Sequence, residues 1–461
     1  VTRFRGIRNI HFVGIGGIGM SGIAEVLHNL GYAVSGTDAK ESATTLRLRD
    51  LGLRVTIGHS APAIAGAQVV VISSAVKQDN PEVIEARRRS VPVIPRAEML
   101  AELMRLKDGI AVAGSHGKTT TTSLIATVLS GFDPTVVIGG KLKALGTNAR
   151  LGQGDLLVAE ADESDGSFLF LTPIVSVVTN IDREHMDHYK SMEALRKAFA
   201  DFMNKVPFYG LSIVCKDDQN LRDLIPDVHR RLITYGITAD ADLVARDIER
   251  SGAGSRFTAL LKGATLGKFF VPSPGIHNVS NSLAAIAAAL EVGMSPAAIA
   301  DALAAFDGIQ RRFELKGAAG GIRVYDDYAH HPSEIRATLA AAKSLGGRLM
   351  VLFQPHRFTR TRDLMADFFN AFRDADRLYL MDIYPAGETP IEGVHSSVLE
   401  NGIGEYSQVD VAYEADRAAM RRRILDDMRP GDILFTMGAG DVFRMGEEIV
   451  GELSVEDADE G

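Results

Sequence analysis

The feature that most constrains this chain is the stretch over residues 111–125, AVAGSHGKTTTTSLI. An apolar run over 109–113 enters Gly114-Ser115-His116-Gly117-Lys118-Thr119-Thr120, and a helical pattern follows at once. Strand, glycine loop, Lys-Thr and helix in that order make a phosphate-binding loop of the shorter G-x-x-G-K-T form. The fuller G-x-x-x-x-G-K-[ST] template is not met, because Val112 stands five positions before Gly117. Glycines at 114 and 117 let backbone N–H groups converge on an anion, and the positive end of the following helix reinforces them. Lys118 is then placed to lie across the outer phosphates of a nucleotide, and the Thr119 hydroxyl to hold the magnesium that neutralises them. The bland alternative is a glycine-rich helix start of no chemical use.

A second glycine loop lies near the amino end. An apolar strand over residues 8–13 leads into Gly14-Ile15-Gly16-Gly17-Ile18-Gly19 and a helical pattern over 20–30. Gly14, Gly16 and Gly19 have the G-x-G-x-x-G spacing: a tight turn, close approach to a diphosphate, and close helix packing. A second strand over 32–36 ends at Asp38, close to where an acid can meet a ribose. The pattern predicts a nucleotide site without choosing between a dinucleotide and another diphosphate. Further strands fall at 69–72, with Ser74 just beyond, and at 91–94. Residues 1–105 therefore read as a small doubly wound domain.

A chain of 461 residues exceeds one core, and the strand–helix alternation restarts near residues 106 and 313. The resulting expectation is three α/β domains, 1–105, 106–312 and 313–461. A formal charge of −9 argues against broad nucleic-acid binding, and no apolar run is long enough to insert in a membrane. Cys215 is the single cysteine, which excludes an internal disulfide and fits a reducing cytoplasm; its apolar surroundings mark it as buried.

Within 106–312, a strand over 155–159 opens into Glu160-Ala161-Asp162-Glu163-Ser164-Asp165. A carboxylate just past a strand beside the phosphate loop can reach its magnesium, and Glu160 is the first available. A solvated acidic loop is the alternative. His185 follows another strand end, where a ring nitrogen could ligate metal, although strand-end histidines arise for many reasons. Residues 241–270 read as antiparallel hairpins. Asn278 and Asn281 share one face at the head of an alanine-rich helix, as caps or as readers of an adenine edge.

Arg312 can hold phosphate oxygens with two parallel donors. Asp326-Asp327-Tyr328-Ala329-His330-His331-Pro332 and the loop carrying Arg357 and Arg360 follow strand ends, where open α/β sheets place ligands. Arg357 and Arg360 could receive a carboxylate or simply face solvent. The acidic tail over 456–461 reads as disordered.

Taken together and in this order, the two glycine loops, the 160–165 acidic stretch and the 326–332 motif resemble the Mur ligases. The resemblance implies a Rossmann-like N-terminal domain for a UDP-sugar, a central P-loop ATPase-like domain with a parallel sheet, and a C-terminal Rossmann-like α/β domain for an amino acid. The implied reaction is ATP-dependent ligation of L-alanine to the lactyl carboxylate of UDP-N-acetylmuramate through an acyl phosphate, by a cytoplasmic monomer or weak homodimer.

By the same resemblance Gly114, Ser115, His116, Gly117, Lys118, Thr119 and Thr120 bind ATP with Asn278, Asn281, Arg312, Asp326 and Asp327. Thr119, Glu160 and His185 hold magnesium. Gly14, Gly16, Gly17, Gly19, Asp38 and Ser74 serve the UDP-sugar. Lys118, His330, His331, Arg357 and Arg360 surround the reaction. Glu184 stands where the related stretch commonly has aspartate, and no lysine for carbamylation is identified. A nicotinamide oxidoreductase, or a nucleotide switch without ligase activity, is the competing class.

Overall fold

Several strands are apolar on both sides, and such strands must be covered on two faces. Val69–Ile72, Leu211–Cys215 and Ile433–Met437 are of this kind. The computed structural model describes residue 4 and residues 6–73, 75–139 and 149–459; Ser74 lies outside the described residues. Three sheets organise the chain, one in each of three α/β domains.

The first sheet is wholly parallel, in the order Arg54–Ile57, Ala33–Asp38, Asn9–Val13, Val69–Ile72, Val93–Pro95. Its first strand is central and the chain order reverses beside it. The loop after Val13 therefore opens at the switch point, where doubly wound sheets bind ligands.

The second sheet has ten strands. Asp108–Ala113, which feeds the phosphate loop, is flanked by Leu156–Glu160 and Val175–Val178 and runs parallel to both. Three strands joined by short turns, Leu243–Ser251, Gly254–Leu261 and Ala264–Val271, extend one edge, as the turn residues predict.

The third sheet runs Glu314–Ala319, Ile322–Asp327, Ile433–Met437, Leu349–Phe353, Arg377–Leu380, Asp410–Tyr413. Only its first pair is antiparallel. Leu349, Val351 and Phe353 join one apolar core, and Met350 and Leu352 join another. Strand alternation thus feeds both faces.

By packing, the chain forms two compact units. One comprises Val1–Asp247, Phe257–Phe270 and Ser280–Asp307 and carries the first sheet; the other comprises Ile248–Arg256, Val271–Val279 and Gly308–Gly461 and carries the third.

A helix over Phe443–Asp459 closes the described chain, and the last residues of the tail over 456–461 lie outside the described residues. Met445, Ile449 and Leu453 are spaced to bury one face of that helix against the third sheet. Among the described residues no helix is long and apolar enough to cross a membrane.

Candidate active site

The phosphate loop owes its shape to two glycines. Gly114 has φ 136°, and a Cβ there would lie 2.0 Å from Thr179 Oγ1; Gly117, with φ 80°, caps the helix Lys118–Val128. Ser115 N donates to Asn180 O at 3.0 Å and His116 N to Asn180 Oδ1 at 2.8 Å, so the neighbouring strand end anchors the loop. His116 Nε2 also pairs with Asp182 Oδ2 at 3.0 Å. The helix is threonine-rich, which propensity disfavours, but Thr119, Thr121 and Thr122 are buried and packing decides. Thr120 is half-buried in the same first turn.

Lys118 Nζ donates to Ser115 O at 3.1 Å and to Glu163 Oε1 at 2.8 Å. Burial works to lower its pKa, but the carboxylates of Glu163 and Glu160 reverse this and hold it above the ordinary value. It is a fixed cation. Thr119 Oγ1 meets Glu160 at 3.0 and 3.2 Å, and Gly139 N donates to the same carboxylate at 2.7 Å. Burial pushes Glu160 up, against the pull of Lys118.

Glu163 was not singled out by sequence, yet it is the hub of this region. It is 1% exposed, pairs with Lys118, and lies 3.5 Å from His185 Nε2. Its Oε2 is buried without a hydrogen-bond partner among the described residues. Glu163, Glu184 and His185 offer ligand atoms within 4.8 Å of one another. The structure therefore joins Thr119 to Glu160 and His185 to Glu163. Four acids in six residues hid this, because only the turn after Glu160 decides which carboxylate points inward.

Asn281 lies against the loop: a Cβ on Gly117 would be 2.9 Å from its Oδ1. Asn278, on the same helix Ile276–Glu291, instead donates Nδ2 to Ser273 Oγ at 2.8 Å and to Pro274 O at 2.6 Å, holding the turn that starts the helix.

In the first sheet, Gly14 N donates to Thr37 O at 2.8 Å and Gly16 N to Asp38 Oδ2 at 2.8 Å. Asp38 thus fixes the glycine loop. Gly17 caps the helix Ile18–Asn29, and Gly19 lies in its first turn.

In the C-terminal unit the polar groups gather past the strand ends Asp327 and Phe353. Asp326 is 0% exposed and takes Arg311 Nε at 2.9 Å and Thr436 Oγ1 at 2.7 Å. Asp327 accepts from Phe313 N and Ala329 N, both at 2.8 Å, and burial lifts it to about 6. Arg311, which sequence reasoning passed over for its neighbour, also donates to Gly438 O and Gly440 O and lies over the Tyr328 ring. Arg312 also lies over Tyr328, 3.9 Å from Glu334.

His330 Nδ1 contacts Tyr328 O at 2.9 Å. His331 caps the helix Pro332–Ala342, its Nδ1 accepting from Ser333 N, so one ring nitrogen serves the fold. Arg357 has φ 72° and donates its N–H to Tyr384 O at 2.8 Å. Arg360 Nη1 lies 3.4 Å from His356 Nδ1. Burial, then the charges of His330, Arg360 and Arg357, depress His356 to about 3.

Two glycine loops and a loop lysine held by carboxylates define a nucleotide-using enzyme on a three-sheet frame. The chain belongs to the Mur ligase family. Residues 9–108 match the model described as Mur ligase family, catalytic domain, 112–289 the Mur ligase middle domain, and 311–440 the Mur ligase, glutamate ligase domain. A UDP-N-acetylmuramate–L-alanine ligase of Geobacter sp. (strain M21) is 57% identical over 448 residues, 96% of this chain and 97% of that protein. One of Anaeromyxobacter dehalogenans (strain 2CP-1) is 56% identical over 444 residues, again 96% and 97%. Among solved structures, UDP-N-acetylmuramate-alanine ligase of Thermotoga maritima superposes with a TM-score of 0.83 at 29% identity, covering 97% of this chain and 99% of that one. A murein peptide ligase of Psychrobacter arcticus gives 0.71 at 25%, with the same coverage.

Proposed function

We propose that the protein joins L-alanine to the lactyl carboxylate of UDP-N-acetylmuramate, with ATP converted to ADP and phosphate, as a cytoplasmic step of peptidoglycan precursor synthesis. The observation that carries this reading is near-full-length 57% identity to a ligase of that name, combined with a lysine–carboxylate phosphate loop. Residues 1–105 take the UDP-sugar, 106–312 the ATP, and 313–461 the amino acid.

A carboxylate resists an amine because its leaving group would be oxide. Transfer of the terminal phosphoryl group of ATP to a lactyl oxygen gives an acyl phosphate and ADP. The alanine nitrogen, after losing a proton, then attacks the carbonyl carbon; the C–O bond to phosphate breaks and the amide remains. Lys118 faces the charge moved in the first step. Arg312 holds nucleotide phosphate oxygens, and Asn281 beside Gly117 reads the nucleotide. His330, with Arg357 and Arg360 on the adjoining loop, receives and orients the amino acid, His330 taking the ammonium proton. His331, already spending one nitrogen on its helix cap, is the weaker candidate for that role.

The donor set around the loop fits magnesium. Thr119, Glu160 and Glu163 offer the hard oxygen donors that magnesium takes, His185 adds a borderline imidazole nitrogen, and the buried Glu163 Oε2 has no hydrogen-bond partner among the described residues. Thr119, Glu160 and His185 are the proposed ligands, with Glu163 beside them, and the ion would supply charge neutralisation on the transferring phosphoryl group.

The test supplies ATP, magnesium, UDP-N-acetylmuramate and a panel of amines, and identifies the product by mass. L-alanine should give a product one water lighter than its two parts, coupled to ADP. A preformed tripeptide accepted in preference to L-alanine would favour the peptide-ligase reading suggested by the Psychrobacter neighbour. ADP formed equally without either acceptor would defeat the proposal.

A further inference from the structure

In the third sheet the strand Leu349–Phe353 leads to Arg357 and Arg360, and its neighbour Arg377–Leu380 leads to a glycine- and proline-containing loop over residues 384–393. The two loops are tied together. Tyr384 N donates to Pro355 O and Arg357 N to Tyr384 O, both at 2.8 Å, which makes one rung of parallel pairing between His356 and Tyr384. The rings of His356 and Tyr384 stack, with centroids 5.5 Å apart and planes 7° from parallel.

A carboxylate completes the grip. Ala386 and Gly387 have φ of 48° and 86°, and Glu388 N returns to Pro385 O at 2.9 Å, so the chain reverses in a tight turn. The turn sets Glu388 on the arginine loop: its Oε2 accepts from Thr359 N at 3.0 Å and its Oε1 from Thr359 Oγ1 at 2.7 Å. Residues 384–387 and 389 are exposed, whereas Glu388 among them is half-buried. Thr359 lies in the first turn of the short helix Phe358–Asp363, where an amide has no intrahelical acceptor and must find one outside. The backbone before it also needs holding. Arg357 has φ 72° and ψ 136°, a combination that a residue with a Cβ keeps only where its surroundings fix it. Tyr384 O fixes it on one side and Glu388, through Thr359, on the other. With both oxygens spent on Thr359, Glu388 makes no ion pair with Arg357 or Arg360, and among the described residues neither arginine has a carboxylate partner. Both guanidinium groups are left for an incoming carboxylate.

We infer that Glu388 is a positioning residue for the amino-acid site: through Thr359 it sets the turn from which Arg357 and Arg360 reach the carboxylate of the acceptor, and so governs the affinity for L-alanine. The inference rests on the reading above that these two arginines receive the amino acid. Glu388 takes no part in the chemistry. The two glycine loops lie on the other two sheets, so affinity for ATP and for the UDP-sugar is independent of this clasp.

The test is steady-state ligase kinetics of the full-length protein, with L-alanine varied at saturating ATP and UDP-N-acetylmuramate. Glu388→Ala should raise the KM for L-alanine by about tenfold, through loss of the charge-assisted hydrogen bonds that place the arginines, with kcat within about threefold of the parent. The KM values for ATP and UDP-N-acetylmuramate should not move. Glu388→Gln, which keeps an oxygen for one of the two donors, should recover part of the loss. Thr359→Val, which drops only the hydroxyl, should raise the KM for L-alanine by less, and add little once Glu388→Ala is present. Glu388→Ala should likewise add little to Arg360→Ala, because an arginine through which it acts is gone. A KM for L-alanine within about twofold of the parent in Glu388→Ala would overturn the inference. So would a loss shared equally among the KM values of all the substrates, or one fully additive with Arg360→Ala. An Arg360→Ala protein with an unchanged KM for L-alanine would bring down the reading of the amino-acid site itself, and the inference with it.

Discussion

Lys118 and Gly114 sit four residues apart in one loop and answer to different physics. Lys118 is wanted for its charge. Replacing it with alanine removes the cation facing the transferring phosphoryl group, and UDP-sugar-dependent ADP formation should fall by about 10²-fold or more. UDP-sugar binding, which the proposal assigns to the first sheet, should persist. Near-normal turnover would remove the phosphate-loop assignment. Gly114 is wanted for its absence of side chain. With φ 136° and Thr179 Oγ1 2.0 Å from the position of a Cβ, Gly114→Ala must displace the loop or the neighbouring strand end. The expected cost is about 1–3 kcal/mol in denaturant unfolding, with a raised KM for ATP. An alanine variant as stable and active as the parent would show that the loop is not held as described.

Elements were legible where sequence and local physics agree. The phosphate loop could be read because strand, glycines and helix are contiguous, so no long-range choice was needed. Short polar edge strands were not legible. Arg54–Ile57 and Asp410–Tyr413 are four residues each, and Glu314–Ala319 carries charge and glycine; each is a strand because a sheet edge offers it partners. The site had the same limit. The sequence could propose an acid after Leu156–Glu160 and an arginine before Glu314, but not which carboxylate turns inward or which guanidinium is structural.

That second choice is testable on the loop between Ile309 and Glu314. Arg311 ties the buried Asp326 to the loop carrying Gly438 and Gly440, whereas Arg312 lies over the Tyr328 ring, 3.9 Å from Glu334. Arg311→Met should cost about 3 kcal/mol or more by stranding a buried carboxylate. Arg312→Met should cost less stability than Arg311→Met and raise the KM for ATP. The reverse pattern would exchange the two roles.

For the whole molecule, two compact units imply that unfolding need not be a single transition, and proton linkage can tell the units apart. His356 belongs to the C-terminal unit and is held near 3, against an unfolded value near 6.5. Its folded pKa is depressed and its neutral form is the uncharged one. It therefore adds no pH dependence above about 6.5, and destabilises the fold progressively as pH falls from there towards 3, because the unfolded chain takes up the proton first. Between pH 7 and pH 5 the loss amounts to about 2 kcal/mol. Asp327, lifted to about 6 by burial, works in the opposite direction. It is protonated in the fold before it is in the unfolded chain, so acidification below 6 partly offsets the histidine. The net slope of the wild type therefore understates His356, and a variant comparison isolates it. His356→Gln, whatever its cost at pH 7, should lose about 2 kcal/mol less than the parent on transfer to pH 5, and the difference should appear in the transition of the C-terminal unit. Equal acid sensitivity in the two proteins would mean that His356 can charge within the fold, beside Arg357 and Arg360, and that the loop is more open to water than its packing indicates.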